Sequence, residues 1–372
     1  MSQSNFNKQD NKQENLKEID EQLVRLLGKR IAVLERDRGI SRTDRRAYLQ
    51  PLLAKAGVPE FVWEKLETCC TAALATSDLA TLKTPPKQIA IVGGKGMMGQ
   101  FFRSRFLAAG HQVKALGRQD WSDAETLLED IDLALICVPI DRTLEIIQKT
   151  AKYLPQKAVL ADITSIKAPM VEAMLTHHSG PVVGLHPMFG PGVKSFLSQK
   201  VVVCPGREDK ASAWLIELME KDGGDLVFCS AQEHDRMTIA VQALRHFSTY
   251  SLGVFLAEEG VDIGRSLELS SPIYRMGVNL VSRLFAQDAQ LYADIMLATA
   301  ERREAIARLA STFSRLAKAI EWEDRSMVIE EFDRTAKALG TETDRALRES
   351  DKLIDSLSIL LAANRVENAI DG

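Results

Sequence analysis

The run IAIVGGKGMMGQFF, residues 89–102, constrains this chain more than any other stretch. A short apolar, β-branched segment (IAIVG) leads into Gly94-x-Gly96-x-x-Gly99, and the residues that follow read as a helix. Alone the three glycines are a weak signal. Between a strand and a helix they predict a dinucleotide cradle. The first glycine allows a tight turn, the second lets the backbone approach a pyrophosphate, and the third lets the helix pack closely on the strand. The spacers Met97 and Met98 fall in the first helical turn, where free N–H groups and the helix dipole favour negative charge. The cradle is therefore expected to comprise Gly94, Gly96, Met97, Met98 and Gly99.

Such a unit needs further strands. Apolar runs follow at QVKAL (112–116), LALICV (133–138), AVLADI (158–163), VVGL (182–185), VVVC (201–204) and DLVFC (225–229), alternating with helical patterns. Strands apolar on both faces between helices predict a mostly parallel sheet covered by helices. Before residue 88 there is no strand signal. Leu16, Ile19, Leu23, Leu26, Leu27, Ile31 and Leu34 recur at helical spacing. A second helix is expected over about 45–56, closed by Gly57, and a third from about Glu60 into the late seventies. After about residue 231 the strands stop, and patterns such as Ile306, Leu309, Phe313, Leu316, Ile320 continue helically. The fold class is α/β plus all-α, in five parts. These are a polar tail expected to be disordered (1–13), a helical domain (14–80), a proline-stiffened linker (81–87), a Rossmann-type domain (88–230) and a helical domain (231–372).

Charge excludes some partners. With 47 Lys plus Arg against 51 Asp plus Glu, there is no electrostatic footprint for nucleic acid or an anionic membrane. No apolar run reaches the length of a bilayer span and the first residues are polar, so a cytoplasmic protein is expected. The five cysteines show no metal spacing. Buried free thiols, and no metal, are the expectation.

The end of the second strand bears on which dinucleotide fits. It reads KALGRQDW, so Gly117 and Arg118 stand where NAD sites carry an acidic residue, with Asp120 just beyond. A small residue followed by arginine leaves room and charge for a 2′-phosphate, which favours NADP. NAD, with Asp120 on the ribose, is the alternative.

Other residues point to chemistry on a small acid. In GLHPMFGP, His186 ends an apolar strand-like run and precedes a stiff loop. It reads either as a satisfied core histidine or as a catalytic base. Ser165 and Lys167, in DITSIK, follow the fourth strand, and ligands of doubly wound sheets bind at such carboxyl ends. Gln242 and His246 are four residues apart in QALRH, on one predicted helix face. Arg275 and Arg283, eight apart, are separated by about 12 Å along a helix and suit a substrate with more than one carboxylate.

From about residue 88 onward, the runs GLHPMFGP, EHD, QALRHF, SSPIYR and RLFAQD…QLYADI resemble the bifunctional chorismate mutase/prephenate dehydrogenase family. The resemblance implies oxidative decarboxylation of prephenate to 4-hydroxyphenylpyruvate in tyrosine synthesis. It also implies a homodimer joined through the C-terminal helices and feedback inhibition by L-tyrosine. By the same matches His186 corresponds to the catalytic histidine, Ser165 to the serine that orients it and the substrate hydroxyl, and Arg283 to the arginine on the ring carboxylate. His246, Arg275 and Lys167 match residues at or near the pocket. A neutral Gln242 favours prephenate over arogenate, whose ammonium would call for a carboxylate.

Residues 14–80 resemble the family's mutase domain only in part. Arg30 and Arg45 match two of its cationic residues. Against that, Lys17 replaces an arginine, Arg46 replaces a glutamate, and Leu74 falls where a serine belongs. The stretch ERDRGISRTDRR is about two helical turns short and lacks a lysine. Little mutase activity is therefore expected, since a dianion would be poorly neutralised. Other readings of the chain are a related β-hydroxyacid-type dehydrogenase and a non-catalytic dinucleotide sensor.

Overall fold

A computed structural model describes residues 3–36 and 42–371. In chain order the elements begin with α1 (Gln3–Arg36), α2 (Arg42–Ala56) and α3 (Glu60–Ala73). Strands and helices then alternate: β1 (Gln88–Val92), α4 (Met97–Ala108), β2 (Gln112–Leu116), α5 (Ala124–Leu128), β3 (Leu133–Ile136), α6 (Ile140–Ala151), β4 (Val159–Asp162), α7 (Ala168–His177), β5 (Val182–Pro187), β6 (Lys200–Arg207), α8 (Ala213–Lys221) and β7 (Asp225–Phe228). Helices α9 (Ala231–Thr238), α10 (Arg245–Glu258), α11 (Ile263–Glu268), α12 (Pro272–Phe285), α13 (Ala289–Leu297), α14 (Ala300–Glu321), α15 (Arg325–Leu339) and α16 (Glu342–Asp371) complete it. None of the described helices is long and apolar enough to cross a membrane.

Two compact units result. The first comprises Met1–Val138, Glu145–Ile163 and Met170–Cys229. Its seven strands form one sheet in the order β2-β1-β3-β4-β5-β6-β7. All pairs are parallel except β5 with β6. Alternate residues Ile89 and Ile91, Leu133 and Leu135, Val159 and Ala161, Val183 and Leu185 face a common core with Phe101, Phe102 and Phe106 of α4. Phe196 closes it, edge-on to Phe101 with ring centroids 5.0 Å apart. This is the period-two pattern of a sheet face under an amphipathic helix.

In the N-terminal part, α1 packs on α3 and Gly57, at φ 68°, ends α2. The polar residues from Gln3 that were expected to be a disordered tail are helical here, whereas Met1 and Ser2 lie outside the described residues. Gln, Lys and Glu are adequate helix formers, and extending an existing helix costs far less than starting one. The third helix stops at Ala73, earlier than expected. Asp78 then caps a single 3₁₀ turn over Leu79–Thr81, and Leu79 is buried in the sheet's core. The segment before Gln88 is thus anchored at Leu79 rather than merely spanning. The cysteines also depart from expectation, since Cys69 is exposed and only Cys70 and Cys204 are fully buried, all five being free.

The second unit comprises Pro139–Leu144, Thr164–Pro169 and Ser230–Gly372. It is helical, with α10 against α12, α13 against α14, and α14 against α15. On α12, Val278, Val281 and Leu284 are buried at helical spacing.

Candidate functional site

The first unit supplies a glycine cradle. Order β2-β1-β3 makes the end of β1 a topological switch point, the usual crevice for a nucleotide. The turn is made by Gly93, whose φ of 85° only glycine adopts readily; a Cβ there would lie 2.2 Å from the Cys137 carbonyl oxygen. The sequence reading gave that turn to Gly94. Gly94 is needed for a different reason, because its Cβ would fall 2.8 Å from that of Ala115 on β2. Gly96 is the exposed N-cap of α4, so the helix's first N–H groups, at Met97 and Met98, open beside a residue without a side chain. Gly99 packs as expected, with a Cβ position 2.7 Å from the Gly93 carbonyl oxygen. These residues fit a pyrophosphate.

At the end of β2, the Gly117 N–H donates to Asp120 Oδ2 at 2.7 Å. The Lys95 ammonium lies 3.8 Å from the same carboxylate, and Arg118 is exposed. Gly117 and Lys95 of the glycine loop therefore meet at Asp120, with Arg118 next to Gly117 in the chain.

His186 lies on the same edge of the same sheet. Val92, Ile136, Asp162 and Gly184 form one row across β1, β3, β4 and β5. His186 extends two residues beyond that row, as Gly94 does on β1. Three strand spacings separate the two, about 14 Å. The imidazole residue is 2% exposed and pairs in register with Val202 of β6.

The remaining polar residues belong to the second unit, Arg275 and Arg283 on its helix α12. Ser165 is half-buried and Lys167 fully buried on the segment Thr164–Pro169. Asp235 of α9 accepts the backbone N–H groups of Lys167 and Ala168, each at 2.8 Å, and His234 Nδ1 is 2.8 Å from its Oδ1. Burial alone would raise the Asp235 pKa, but the His234 and backbone hydrogen bonds hold it below the ordinary carboxylate value.

Gln242 and His246 are not on a plain α-helix. Residues Ile239–Leu244 form a π-helical turn between α9 and α10, so the simple four-residue face does not hold. His246 is buried and stands edge-on to Tyr292, ring centroids 4.8 Å apart. Burial, with the charges of Arg245 and Arg302, pushes its pKa down to about 4, so it is neutral at pH 7. Arg275 is half-buried and donates to the Leu267 carbonyl at 3.3 Å, whereas Arg283 is exposed. Arg302 was not anticipated. It is 1% exposed and donates to the carbonyl oxygens of Ser165 and Ile295. An arginine in the amphipathic run AERREAI reads as solvated, and nothing in the spacing reveals that it points inward.

In the N-terminal helices Arg30 and Arg45 converge on one carboxylate. Glu67 of α3 lies 3.5 Å from Arg30 and 3.7 Å from Arg45. Arg30 also stacks over the Trp63 ring at 5.4 Å. Arg46 faces Glu60 and Glu64 instead. Residues 37–41, within the stretch read as shortened, lie outside the described residues.

Comparison with known proteins agrees with this organisation. Residues 108–228 match the model of the prephenate dehydrogenase nucleotide-binding domain, and residues 230–335 that of the prephenate dehydrogenase dimerization domain. The chain is 42% identical over 276 residues to the T-protein of Enterobacter agglomerans, covering 74% of each. It is 38% identical over 280 residues to that of Haemophilus influenzae, covering 75% of this chain and 74% of the relative. Its fold resembles the crystal structure of prephenate dehydrogenase from A. aeolicus in complex with hydroxyphenyl propionate and NAD+. That match has a TM-score of 0.55 at 19% identity, over 69% of this chain and 98% of the other.

Proposed function

The chain belongs to the prephenate dehydrogenase family, and on that premise we propose that it oxidatively decarboxylates prephenate to 4-hydroxyphenylpyruvate with a nicotinamide dinucleotide. The observation that carries the reading is the common sheet edge. The glycine cradle and His186 extend beyond the same row of strand ends, one suited to a pyrophosphate and the other to a proton.

Gly94, Gly96, Gly99 and the N–H groups of Met97 and Met98 would hold the dinucleotide, with Gly117 and Arg118 at its adenosine end. When bound, the nicotinamide supplies the hydride acceptor. His186 accepts the proton of the ring hydroxyl as the carbinol carbon is oxidised. An imidazole is suited to this because its ordinary pKa lies near neutrality. Ser165 orients that hydroxyl. Arg283 holds the ring carboxylate, and Arg275, Lys167, Gln242 and the neutral His246 belong to the substrate's surroundings. The bond to the ring carboxylate then breaks, carbon dioxide leaves, and aromatisation makes the step irreversible.

Residues 230–335 correspond to the family's dimerization domain, and Phe255, Ile273, Leu280 and Phe332 are each more than half exposed in this unit. Both support a homodimer through the C-terminal helices. Inhibition by L-tyrosine belongs to the same reading. Chorismate mutase activity is proposed to be weak, since Arg30 and Arg45 are already neutralised in part by Glu67.

The test is a steady-state assay of prephenate and of arogenate, each with NAD and NADP, beside chorismate alone. The reading predicts prephenate-dependent reduction of the dinucleotide. Faster turnover of arogenate would favour that substrate, and dinucleotide binding without turnover would leave a sensor.

A further inference from the structure

The backbone of residues 165–168 is held at three points by two oppositely charged side chains. On one side Arg302 of α14 donates from Nη2 to the Ser165 carbonyl oxygen at 3.0 Å and to Thr238 Oγ1 at 3.0 Å. Its Nη1 donates to the Ile295 carbonyl at 2.8 Å. On the other side Asp235 accepts the N–H groups of Lys167 and Ala168. The arginine is fully buried, so it is tolerated only because its donors find acceptors. Thr238 links the two sides, accepting from Arg302 and donating to the Asp235 carbonyl at 3.2 Å.

We propose that Arg302 is a positioning residue for Ser165, fixing the backbone from which the serine hydroxyl is presented to the substrate. The proposal rests on the assignment of Ser165 made above. Serine has one rotatable side-chain bond, so the place of its Oγ is set by the backbone to within three staggered positions. A misplacement of about 1 Å at a reacting group costs on the order of 10²-fold in rate. An arginine reaching from a helix 137 residues away is a rigid means of avoiding it, because its planar fork loses little freedom per bond formed. The same charge contributes to keeping His246 neutral, which places Arg302 electrostatically near the residues that surround the substrate.

A double-mutant cycle on the full-length protein separates positioning from mere stability. Arg302→Met should lower kcat by about 10–100-fold, with dinucleotide affinity unchanged and Arg302→Lys recovering part of the loss. In a Ser165→Ala background the same substitution should cost no more than about threefold further, because residues acting as a unit are not additive. Thr238→Val keeps the charge and removes one acceptor, and should lower kcat severalfold in a protein that melts cooperatively; it carries the test if Arg302→Met does not fold. Equal losses of kcat in both backgrounds, or wild-type kcat in Thr238→Val and Arg302→Lys, would overturn the proposal. Wild-type kcat in Ser165→Ala alone would overturn the assignment of Ser165 itself, and this proposal with it.

Discussion

The Asp120 carboxylate accepts the Gly117 N–H on Oδ2 at 2.7 Å, and the Lys95 ammonium of the glycine loop lies 3.8 Å from the same oxygen. The acidic group nearest the expected ribose position is thus already engaged by its own turn. Arg118, the next residue, is exposed.

This arrangement predicts a preference for NADP. Arg118→Ala should lower kcat/KM for NADP by roughly one to two decades, the worth of about 1.5–3 kcal/mol for a charge-assisted phosphate contact. Its effect on NAD should be smaller. Kinetics with both dinucleotides on the wild type and the variant decide it. Equal or better efficiency with NAD in the wild type would reassign Asp120 to the ribose.

Arg283 is exposed on the face of α12 away from buried Val278, Val281 and Leu284. Arg283→Ala should therefore leave the melting temperature nearly unchanged and mainly raise the Michaelis constant for prephenate, as the loss of a carboxylate contact does. An unchanged Michaelis constant would reject the role.

Acid should destabilise the protein through histidines buried neutral. His246 has a folded pKa of about 4, below the ordinary 6.5, because of burial and the charges of Arg245 and Arg302. The unfolded chain binds the proton more readily, so this contribution is intact above pH 6.5 and is lost as pH falls towards 4. At most it amounts to about 3 kcal/mol. His111 and His178 are lowered in the same direction, each chiefly by burial. Melting temperatures measured from pH 7 down to pH 4.5 should fall, and His246→Gln should flatten part of that slope. An identical slope in the variant would contradict the assignment.

Much of the first unit was legible because its constraints are local. The strand–glycine–helix run predicts close packing of the helix on the turn, which Gly99 on Gly93 shows, and apolar runs found the seven strands to within a few residues. Gly93 was overlooked because the motif counts from Gly94, while the left-handed turn falls one residue earlier. The second unit was less legible. Arg302 and Asp235 act on a loop far away in sequence, and no periodicity encodes such a contact. The π-helical turn at Ile239–Leu244 likewise altered a face that assumed regular α-helix.

The N-terminal helices should show little chorismate mutase activity. Both carboxylates of chorismate need cations, yet Arg30 and Arg45 share Glu67. The developing charge on the ether oxygen also needs a donor, and removing one such donor costs on the order of 10²–10³ in rate. Chorismate disappearance should be followed with the full chain, because a truncation beyond Leu79 would remove a core residue of the sheet. Robust turnover that Arg30→Ala and Arg45→Ala each abolish would refute the expectation.

The most direct test of the dehydrogenase is His186→Asn, measured with prephenate and the preferred dinucleotide beside a binding titration of the dinucleotide alone. The buried strand-end imidazole should act only in the transition state. Turnover should therefore fall by on the order of 10²–10⁴ with dinucleotide affinity nearly unchanged. Turnover within a factor of a few of the wild type would make His186 a core histidine and contradict the account.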